Sequence, residues 1–109
     1  MAIAYKVLGQ TNPAANTATT LYTVPSATSA LVSTISICNQ SSTAATFKLA
    51  VRPIGAALSA LHYLAFDTTV PGNDMISLTL GITLGATDVV TVNASSALLS
   101  FHAYGNEIT

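Results

Sequence analysis

The side chains that could act as metal ligands are few in this chain of 109 residues. His62 and His102 are its only histidines, and neither lies in a His-x-His or His-Glu-x-x-His pattern. A metal site would need the two histidines to meet Asp67 or Asp74 across neighbouring strands. The single cysteine excludes an internal disulfide and a cysteine-rich zinc site. We therefore expect no metal site, and we expect both histidines to be partly exposed residues of a β-sheet.

Catalytic groups are equally scarce. Cys38 lies on an alternating strand, where a buried and inert thiol is the usual outcome. No Gly-x-Ser-x-Gly motif is present. Asp67, Asp74 and Asp88 each lie in or beside a turn, where aspartate commonly bonds the backbone rather than acting in acid–base pairs. The sequence therefore predicts a protein that is not an enzyme, with no catalytic residues, no cofactor and no cofactor-binding residues.

Charge and hydropathy exclude two classes of partner. The net charge is −1, no glycine-rich phosphate loop is present, and the only neighbouring cations are Lys48 and Arg52. Two cations cannot supply the basic field that a nucleic acid requires. The longest nearly apolar run, 54–66, contains Ser59 and His62 and is shorter than the ~20 residues of a membrane span. No secretory signal is visible at the N-terminus. We therefore expect neither nucleic acid nor membrane as a partner.

Composition favours an assembled subunit. Half of the residues are hydrophobic and only 6% are charged, against ~25% in ordinary soluble domains. A soluble monomer normally keeps a mixed surface charge. A surface covered by neighbouring subunits explains this low charge, and solubility from Ser and Thr alone is the alternative.

Aromatic residues leave a binding function open. Tyrosines on a sheet face can stack on sugar rings as they stack on bases. The same side chains could equally lie at a subunit interface or at the edge of the core. The tyrosines concerned are Tyr5, Tyr22, Tyr63 and Tyr104.

Alternation with period two predicts an all-β domain. We expect a single domain over residues 1–109, built as an antiparallel β-sandwich or jelly roll of seven to eight short strands, with helix below ~10%. A helical turn is possible at 55–60. The predicted strands are 3–8, 20–24, 30–38, 45–52, 61–66, 75–80, 88–93 and 98–104.

The strongest alternation predicts local pairing and a core. The strands 30–38 and 45–52 are joined by a turn and are expected to form an antiparallel hairpin. The outward side of the second strand would carry Thr46, Lys48, Ala50 and Arg52. The predicted core consists of Ile35, Ile37, Phe47, Leu49, Val51, Leu78, Leu80, Val90, Val92, Leu99 and Phe101.

The segment Leu21–Asn39, LYTVPSATSALVSTISICN, resembles short structural proteins from the virions of tailed bacteriophages, cyanophages among them. In those proteins an LYTVP strand, a turn of small residues and a strand ending in Cys-Asn or Ala-Asn precede a strand like the AATFKLAVRP of this chain. The stretch from His62 to Glu107 is similar to the rest of such proteins, so the likeness spans Tyr5 to Glu107. The shared motifs are those of strands and turns rather than of chemistry.

The resemblance implies a β-sandwich subunit that forms homo-oligomers, expected to be trimers, in the virion. It brings no catalytic residues. We expect a capsid decoration, or cement, protein that binds the major capsid protein or other virion proteins. The alternative is a neck, tail or fibre-associated virion protein with a receptor-binding or carbohydrate-binding role.

Overall fold

The protein is all-β, with 62% of its residues in strands and 6% in helix, as predicted. The structure is a computed structural model that describes residues 2–109. Two short 3-10 turns, Pro53–Gly55 and Ala60–His62, replace the helical turn considered at 55–60. The eight strands are β1 (Ile3–Thr11), β2 (Thr19–Thr23), β3 (Ser29–Asn39), β4 (Ala45–Arg52), β5 (Tyr63–Val70), β6 (Met75–Leu84), β7 (Val89–Ala94) and β8 (Leu99–Ile108).

The strands form two four-stranded antiparallel sheets packed on each other. The first sheet has the order β1-β8-β3-β6, and the second has the order β2-β7-β4-β5. The first strand therefore pairs with the last, the second with the seventh, the third with the sixth and the fourth with the fifth. This nested pairing is the order of an eight-stranded jelly roll.

The predicted hairpin between β3 and β4 is wrong. β3 pairs with β6 and β8, whereas β4 pairs with β5 and β7 in the other sheet. The turn between them crosses from one sheet to the other, anchored by Asn39, whose Nδ2 donates to the carbonyl oxygens of Thr43 at 2.9 Å and Val70 at 3.1 Å. Alternation defines which side chains point inward, and it carries no information on which strand is the partner.

The core lies between the two sheets, and most of its predicted members are buried. Phe47 from the second sheet meets Phe101 from the first edge to face, with ring centroids 6.0 Å apart at 72°. Val51 and Leu78 are only partly buried against this core. The other predicted core residues with less than 2% exposure are Ile35, Ile37, Leu49, Val90, Val92 and Leu99.

Leu80 is the one predicted core residue that is exposed, at 48%. Between the pairs Val32–Ile82 and Thr34–Thr79 the register shifts, so that two residues of β6 oppose one of β3. Gly81 adopts a positive φ of 63° in this bulge. Leu80 lies in the bulge itself, where the chain leaves the regular pleat, whereas Leu78 before it and Ile82 after it both pack against the core. Simple alternation along β6 therefore fails at Leu80 alone.

Candidate functional site

The two histidines lie in different environments. His62 is buried in the second 3-10 turn, where its Nδ1 accepts a hydrogen bond from the Ser59 amide at 3.1 Å. The expectation of a partly exposed sheet residue is therefore wrong for His62. His102 lies on β8 with its Nδ1 3.0 Å from Nε2 of Gln10. Within residues 2–109, no three His, Cys, Asp or Glu side chains are grouped so that they could hold a metal ion.

Cys38 is half-buried rather than buried, which corrects the expectation for this thiol. It lies on β3, in register with Met75 on one side and Ser100 on the other. Its alternating position places it on the outer side of the first sheet, because its neighbour Ile37 is fully buried in the core.

The aspartates act mainly on the backbone. The carboxylate of Asp88 accepts hydrogen bonds from the amides of Ile54 at 2.9 Å and Gly85 at 2.8 Å. The carboxylate of Asp74 accepts one from the amide of Met75 at 2.7 Å. Asp67 differs from the expectation, because it lies within β5 at a φ of +52° and pairs with Lys48.

Both cations of β4 have partners within the chain. Nζ of Lys48 lies 2.6 Å from Asp67 and 4.6 Å from the centre of the Phe66 ring. Nε of Arg52 donates to Thr91 at 3.0 Å, and its Nη1 donates to the carbonyl oxygen of Ala56 at 3.0 Å. Both cations therefore lie on the outer side of the second sheet, where Lys48 forms an ion pair and Arg52 forms hydrogen bonds within the chain.

The four tyrosines do not form one surface. Tyr22 is buried and donates to Glu107, and Tyr63 packs edge-on against Phe66 with centroids 5.0 Å apart. Tyr5 is 79% exposed and Tyr104 is 37% exposed. These last two share the outer side of the first sheet, so two of the four are available to a partner.

The outer side of the first sheet carries no Asp, Glu, Lys or Arg among the described residues, and we call it the uncharged face. The charged residues of its strands, Lys6 and Glu107, point to the other side, where their side chains pair at 2.7 Å. Alternation places the following side chains on this face: Ile3, Tyr5, Val7, Gln10, Ser29, Leu31, Thr34, Ser36, Cys38, Met75, Ser77, Thr79, Thr83, Ser100, His102, Tyr104, Asn106 and Ile108.

One end of the uncharged face forms an open depression of about 480 Å³. It lies where β3 begins and β6 and β8 end, and it includes Gly85 at the start of the next turn. Its lining contains no charged side chain. The residues around it are Ser29, Ala30, Leu31, Thr83, Leu84, Gly85, Asn106 and Ile108.

A second apolar surface lies on the connection between β4 and β5 and on the first residues of β5, and we call it the apolar ridge. It consists of the exposed side chains of Ile54, Leu58, Leu61, Leu64 and Phe66, among which Leu61 is 82% and Ile54 79% exposed. The connection covers the outer side of the second sheet, because Ala50 and Thr91 are buried there although their positions point away from the core.

The backbone of the ridge is held by specific contacts. Arg52 binds the carbonyl oxygens of Gly55 and Ala56, and Asp88 binds the amide of Ile54. The Ser59 amide is bonded to the His62 ring, and the Ser59 side chain is bonded in return to the His62 amide. These contacts hold Ile54 at φ 53° and ψ 32°, a left-handed conformation that β-branched residues rarely adopt. The backbone of the ridge is therefore anchored at Ile54 and at the Ser59–His62 turn.

Sequence reasoning missed the ridge as a surface. Ile54, Leu58, Leu61 and Ala65 follow helical spacing, which usually marks a buried face of a helix. The structure forms two 3-10 turns here and leaves the large side chains outside. The only signal was that this apolar run follows Pro53 directly and contains no strand alternation until His62.

Comparisons with protein-family models, with curated protein sequences and with solved structures found no match. Among the described residues, no helix has the length and apolar character needed to cross a membrane. The fold and the two apolar surfaces therefore carry the functional argument, together with the resemblance in the sequence.

Proposed function

We propose that this chain is a structural subunit of a tailed-bacteriophage virion, a homo-oligomeric capsid decoration protein that binds the major capsid protein or other virion proteins. The observation that carries the proposal is the uncharged face. The four strands of the first sheet are each nine to eleven residues long. Within residues 2–109, their outer side carries no Asp, Glu, Lys or Arg.

Such a face favours protein–protein contact over solvation. Burying an unpaired charge is costly, so contact surfaces with few ions lose little solvation free energy. The buried centres of interfaces are depleted in charged residues and enriched in aromatic residues and Met. Tyr5, Tyr104 and Met75 supply those side chains here, and they are exposed in the single chain.

The placement in a virion rests on the resemblance of 21–39 and of the following strands. The jelly roll is compatible with it, since this architecture occurs in viral capsid domains. It also occurs in lectins, and a fold alone does not decide a function. The face supports assembly, and the resemblance supports the phage particle as the place of assembly, within a virion built in the host cytoplasm.

A second candidate is a carbohydrate-binding role on a neck, tail or fibre. Tyr5 and Tyr104 favour it, because both are exposed on one face, and the ring of His102 stacks parallel to that of Tyr104 at 6.2 Å. Aromatic rings beside polar groups can bind sugars by stacking. Glycan-array binding by the wild-type chain, lost in Tyr5→Ala, would support this role.

The test of the main proposal is sedimentation of the purified chain at micromolar concentration, followed by its addition to phage particles that lack it. We expect an oligomer that binds these particles stoichiometrically. A stable monomer that does not bind the particles would overturn the structural role and favour the carbohydrate-binding candidate.

A further inference from the structure

The outer edges of the two sheets differ in regularity. β6, at one edge of the first sheet, is interrupted by its bulge, where Gly81 has a positive φ. At the edges of the second sheet, β2 has only five residues and β5 pairs irregularly with β4. Short strands and bulges prevent an edge from pairing with another chain, so these three edges are protected.

β1, the fourth edge, is regular and exposed over its first half. It has nine residues, and its register with β8 shifts only after Val7. Every residue from Ala2 to Val7 is exposed, and none of them is proline. We call residues 3–7 the open edge, because a further strand could pair with them.

The backbone of the open edge has a row of hydrogen-bonding groups that point away from the sheet. Ala2 and Thr109 exchange both of their backbone hydrogen bonds, at 3.1 and 2.9 Å. Because bonded and non-bonded pairs alternate along an antiparallel ladder, the backbone groups of Ala4 and Lys6 also point toward β8. Within residues 2–109, no other strand pairs with the opposite side of this segment. The residues whose amides and carbonyls point to that side are Ile3, Tyr5 and Val7.

We propose that the open edges of two copies pair antiparallel about a two-fold axis at Tyr5, so that the two first sheets join into one sheet of eight strands. This inference rests on the proposed homo-oligomeric function and names the strand, the register and the occupant, which is a second copy of this chain. The contact is that of a dimer, whereas the resemblance implies a trimer.

The register follows from the backbone and from charge. With the axis at Tyr5, Ile3 lies opposite Val7 of the second copy, and each of the three outward-pointing residues exchanges two hydrogen bonds with the residue opposite it. An axis at Ala4 or at Lys6 leaves one of these three without a partner in the open edge. An axis at Lys6 also sets two lysines directly opposite each other, which is destabilising. With the axis at Tyr5, Lys6 lies opposite Ala4 of the second copy.

The pairing buries no unpaired ion. Lys6 points to the inner side of the sheet, where its Nζ lies 2.7 Å from Glu107 of its own chain. Arg52 lies on the outer side of the second sheet, where it bonds Thr91, and it stays outside the contact. The costliest arrangement in an interface, a buried charge without a partner, is therefore avoided.

The exposed side chains of the open edge fit this contact. Ile3, Tyr5 and Val7 are 49%, 79% and 48% exposed, and opposite pairs of aromatic or β-branched side chains stabilise a sheet. Five paired residues form a strip only ~17 Å long. Such a strip buries less than the ~800 Å² per partner of a standard interface, so we expect a dissociation constant in the micromolar range.

The pairing widens the uncharged face. Residues directly opposite each other in a ladder have their side chains on the same side of the sheet. The uncharged faces of the two copies therefore become one continuous surface of eight strands, available to another virion protein. A two-fold contact uses each open edge once, so the assembly closes as a dimer and does not extend into a fibre.

Amide hydrogen exchange, followed residue by residue by NMR, tests the pairing directly. We expect the amides of Ile3, Tyr5 and Val7 to exchange freely in dilute solution. When sedimentation shows about nine tenths of the chains paired, their exchange should slow about tenfold, because it proceeds from the unpaired tenth. Ala4 and Lys6 are internal controls, since their amides are bonded to β8 in both states. Unchanged exchange at the first three residues in an oligomer would overturn the inference.

A proline variant tests the backbone bonds separately from the side chain. Tyr5→Pro removes an amide that is not bonded to β8, and proline is tolerated at such positions of an edge strand. Tyr5→Thr is the matched control, because it removes the same ring and keeps the amide. We expect the dissociation constant of Tyr5→Pro to exceed that of Tyr5→Thr by at least about tenfold. Equal constants in two folded variants, as judged by circular dichroism, would contradict the pairing.

A pair of charge variants at Ala4 tests the register and does not depend on proline. In the proposed register Ala4→Glu faces Lys6 of the second copy, and Ala4→Lys sets two lysines opposite each other. The glutamate variant should dimerise more tightly than the lysine variant by at least about fivefold, with a smaller difference at high salt. Since Ala4 also faces Glu107 of its own chain, thermal midpoints of the dilute variants measure the effect on the monomer. Equal dissociation constants at low salt would overturn the register.

Failure of this inference differs from failure of the proposed function. A wild-type oligomer that binds particles with its open edge unprotected overturns the edge pairing and leaves the structural role in place. A chain that is monomeric at millimolar concentration, with an open edge protected only on particles, overturns the second copy as occupant in favour of a strand from another virion protein. A monomer that does not bind particles overturns both.

Discussion

Tyr22 and Glu107 connect the two sheets through a hydrogen bond of 2.5 Å from the phenol to Oε2 of the carboxylate. Oε1 of the same carboxylate lies 2.7 Å from Nζ of Lys6. The hydrogen bond from Lys6, followed by that from Tyr22, lowers the pKa of Glu107 below its ordinary value. Burial, reinforced by the hydrogen bond with Glu107, raises the pKa of Tyr22. The contact is therefore strongest while Glu107 is ionised and Tyr22 is neutral.

Acid should weaken the fold through Glu107. Because its pKa is lower in the folded than in the unfolded state, its contribution to the free energy of unfolding is complete above the ordinary glutamate pKa of about 4.3. It is lost as the pH falls through the lower pKa of the folded state. Glu107→Gln should cost about 1 kcal/mol at pH 7, a modest value because Lys6 is half exposed. The free energy of unfolding of this variant should also fall less steeply between pH 5 and pH 3 than that of the wild type.

Urea denaturation at several pH values measures this effect. Asp74→Asn is the control, because the carboxylate of Asp74 accepts only a local bond from the Met75 amide. An acid dependence that is the same in Glu107→Gln and in the wild type would contradict the prediction.

Removal of the Tyr22 hydroxyl should act in the alkaline range. Tyr22 has a raised pKa in the folded state, so its contribution to stability is complete below the ordinary tyrosine pKa of about 10 and is lost as the pH rises toward the folded value. Because Tyr22→Phe lacks this hydrogen bond, its free energy of unfolding should be about 1 kcal/mol lower than that of the wild type at pH 7. Above pH 10, its thermal midpoint should fall less than the wild-type midpoint does. Tyr5→Phe is the control, since Tyr5 is 79% exposed.

The packing of Phe47 on Phe101 should dominate core stability. Either ring truncated to alanine should lower the free energy of unfolding by ~3–5 kcal/mol, a large share of the ~5–15 kcal/mol of a typical domain. The double variant should lose less than the sum, because the rings contact each other. Phe66→Ala is the control, because Phe66 is 60% exposed, and it should change the free energy of unfolding by less than about 1 kcal/mol. Wild-type denaturation midpoints in both core variants would contradict the inward assignment.

Alternation was sufficient to predict the core near these rings and insufficient elsewhere. Ile35, Ile37, Phe47 and Phe101 lie in stretches where the period of two holds, beyond the irregularity of β3 between Val32 and Thr34, and they are buried as expected. Leu80 is exposed because a bulge interrupts that period, and a bulge depends on the partner strand as well as on the strand itself.

The partners of β3 and β4 and the location of the uncharged face could not be predicted for a different reason. A hairpin between 30–38 and 45–52 and a crossing between two sheets have the same inward pattern, so long-range pairing decides between them. The uncharged face was implicit in the low charge of the chain. Its location required the register that places Lys6 and Glu107 on the inner side of their strands.

Gly105 should be intolerant of any side chain. A Cβ at this position would collide with the backbone carbonyl of Leu31 on the neighbouring strand β3. Gly105→Ala must therefore displace β8 from β3, and we expect a loss of roughly 3 kcal/mol or more, comparable with severe overpacking. Gly85→Ala is the matched control, because its nearest atom would be Oδ2 of Asp88 at 3.8 Å. Equal thermal midpoints for the two variants would contradict the close approach.

Replacement of Ile54 by asparagine should stabilise the fold. Its left-handed backbone, at φ 53° and ψ 32°, costs an L-residue with a β-branched side chain ~1–2 kcal/mol, whereas asparagine tolerates this conformation. Because the side chain is 79% exposed, Ile54→Asn loses no core packing and should raise the free energy of unfolding by about 1 kcal/mol. Urea denaturation of the variant and the wild type measures this gain. Leu58→Asn is the control, because Leu58 is also exposed and is not among the residues with a positive φ. A variant Ile54→Asn that is less stable than the wild type would show that the backbone at this position is not strained.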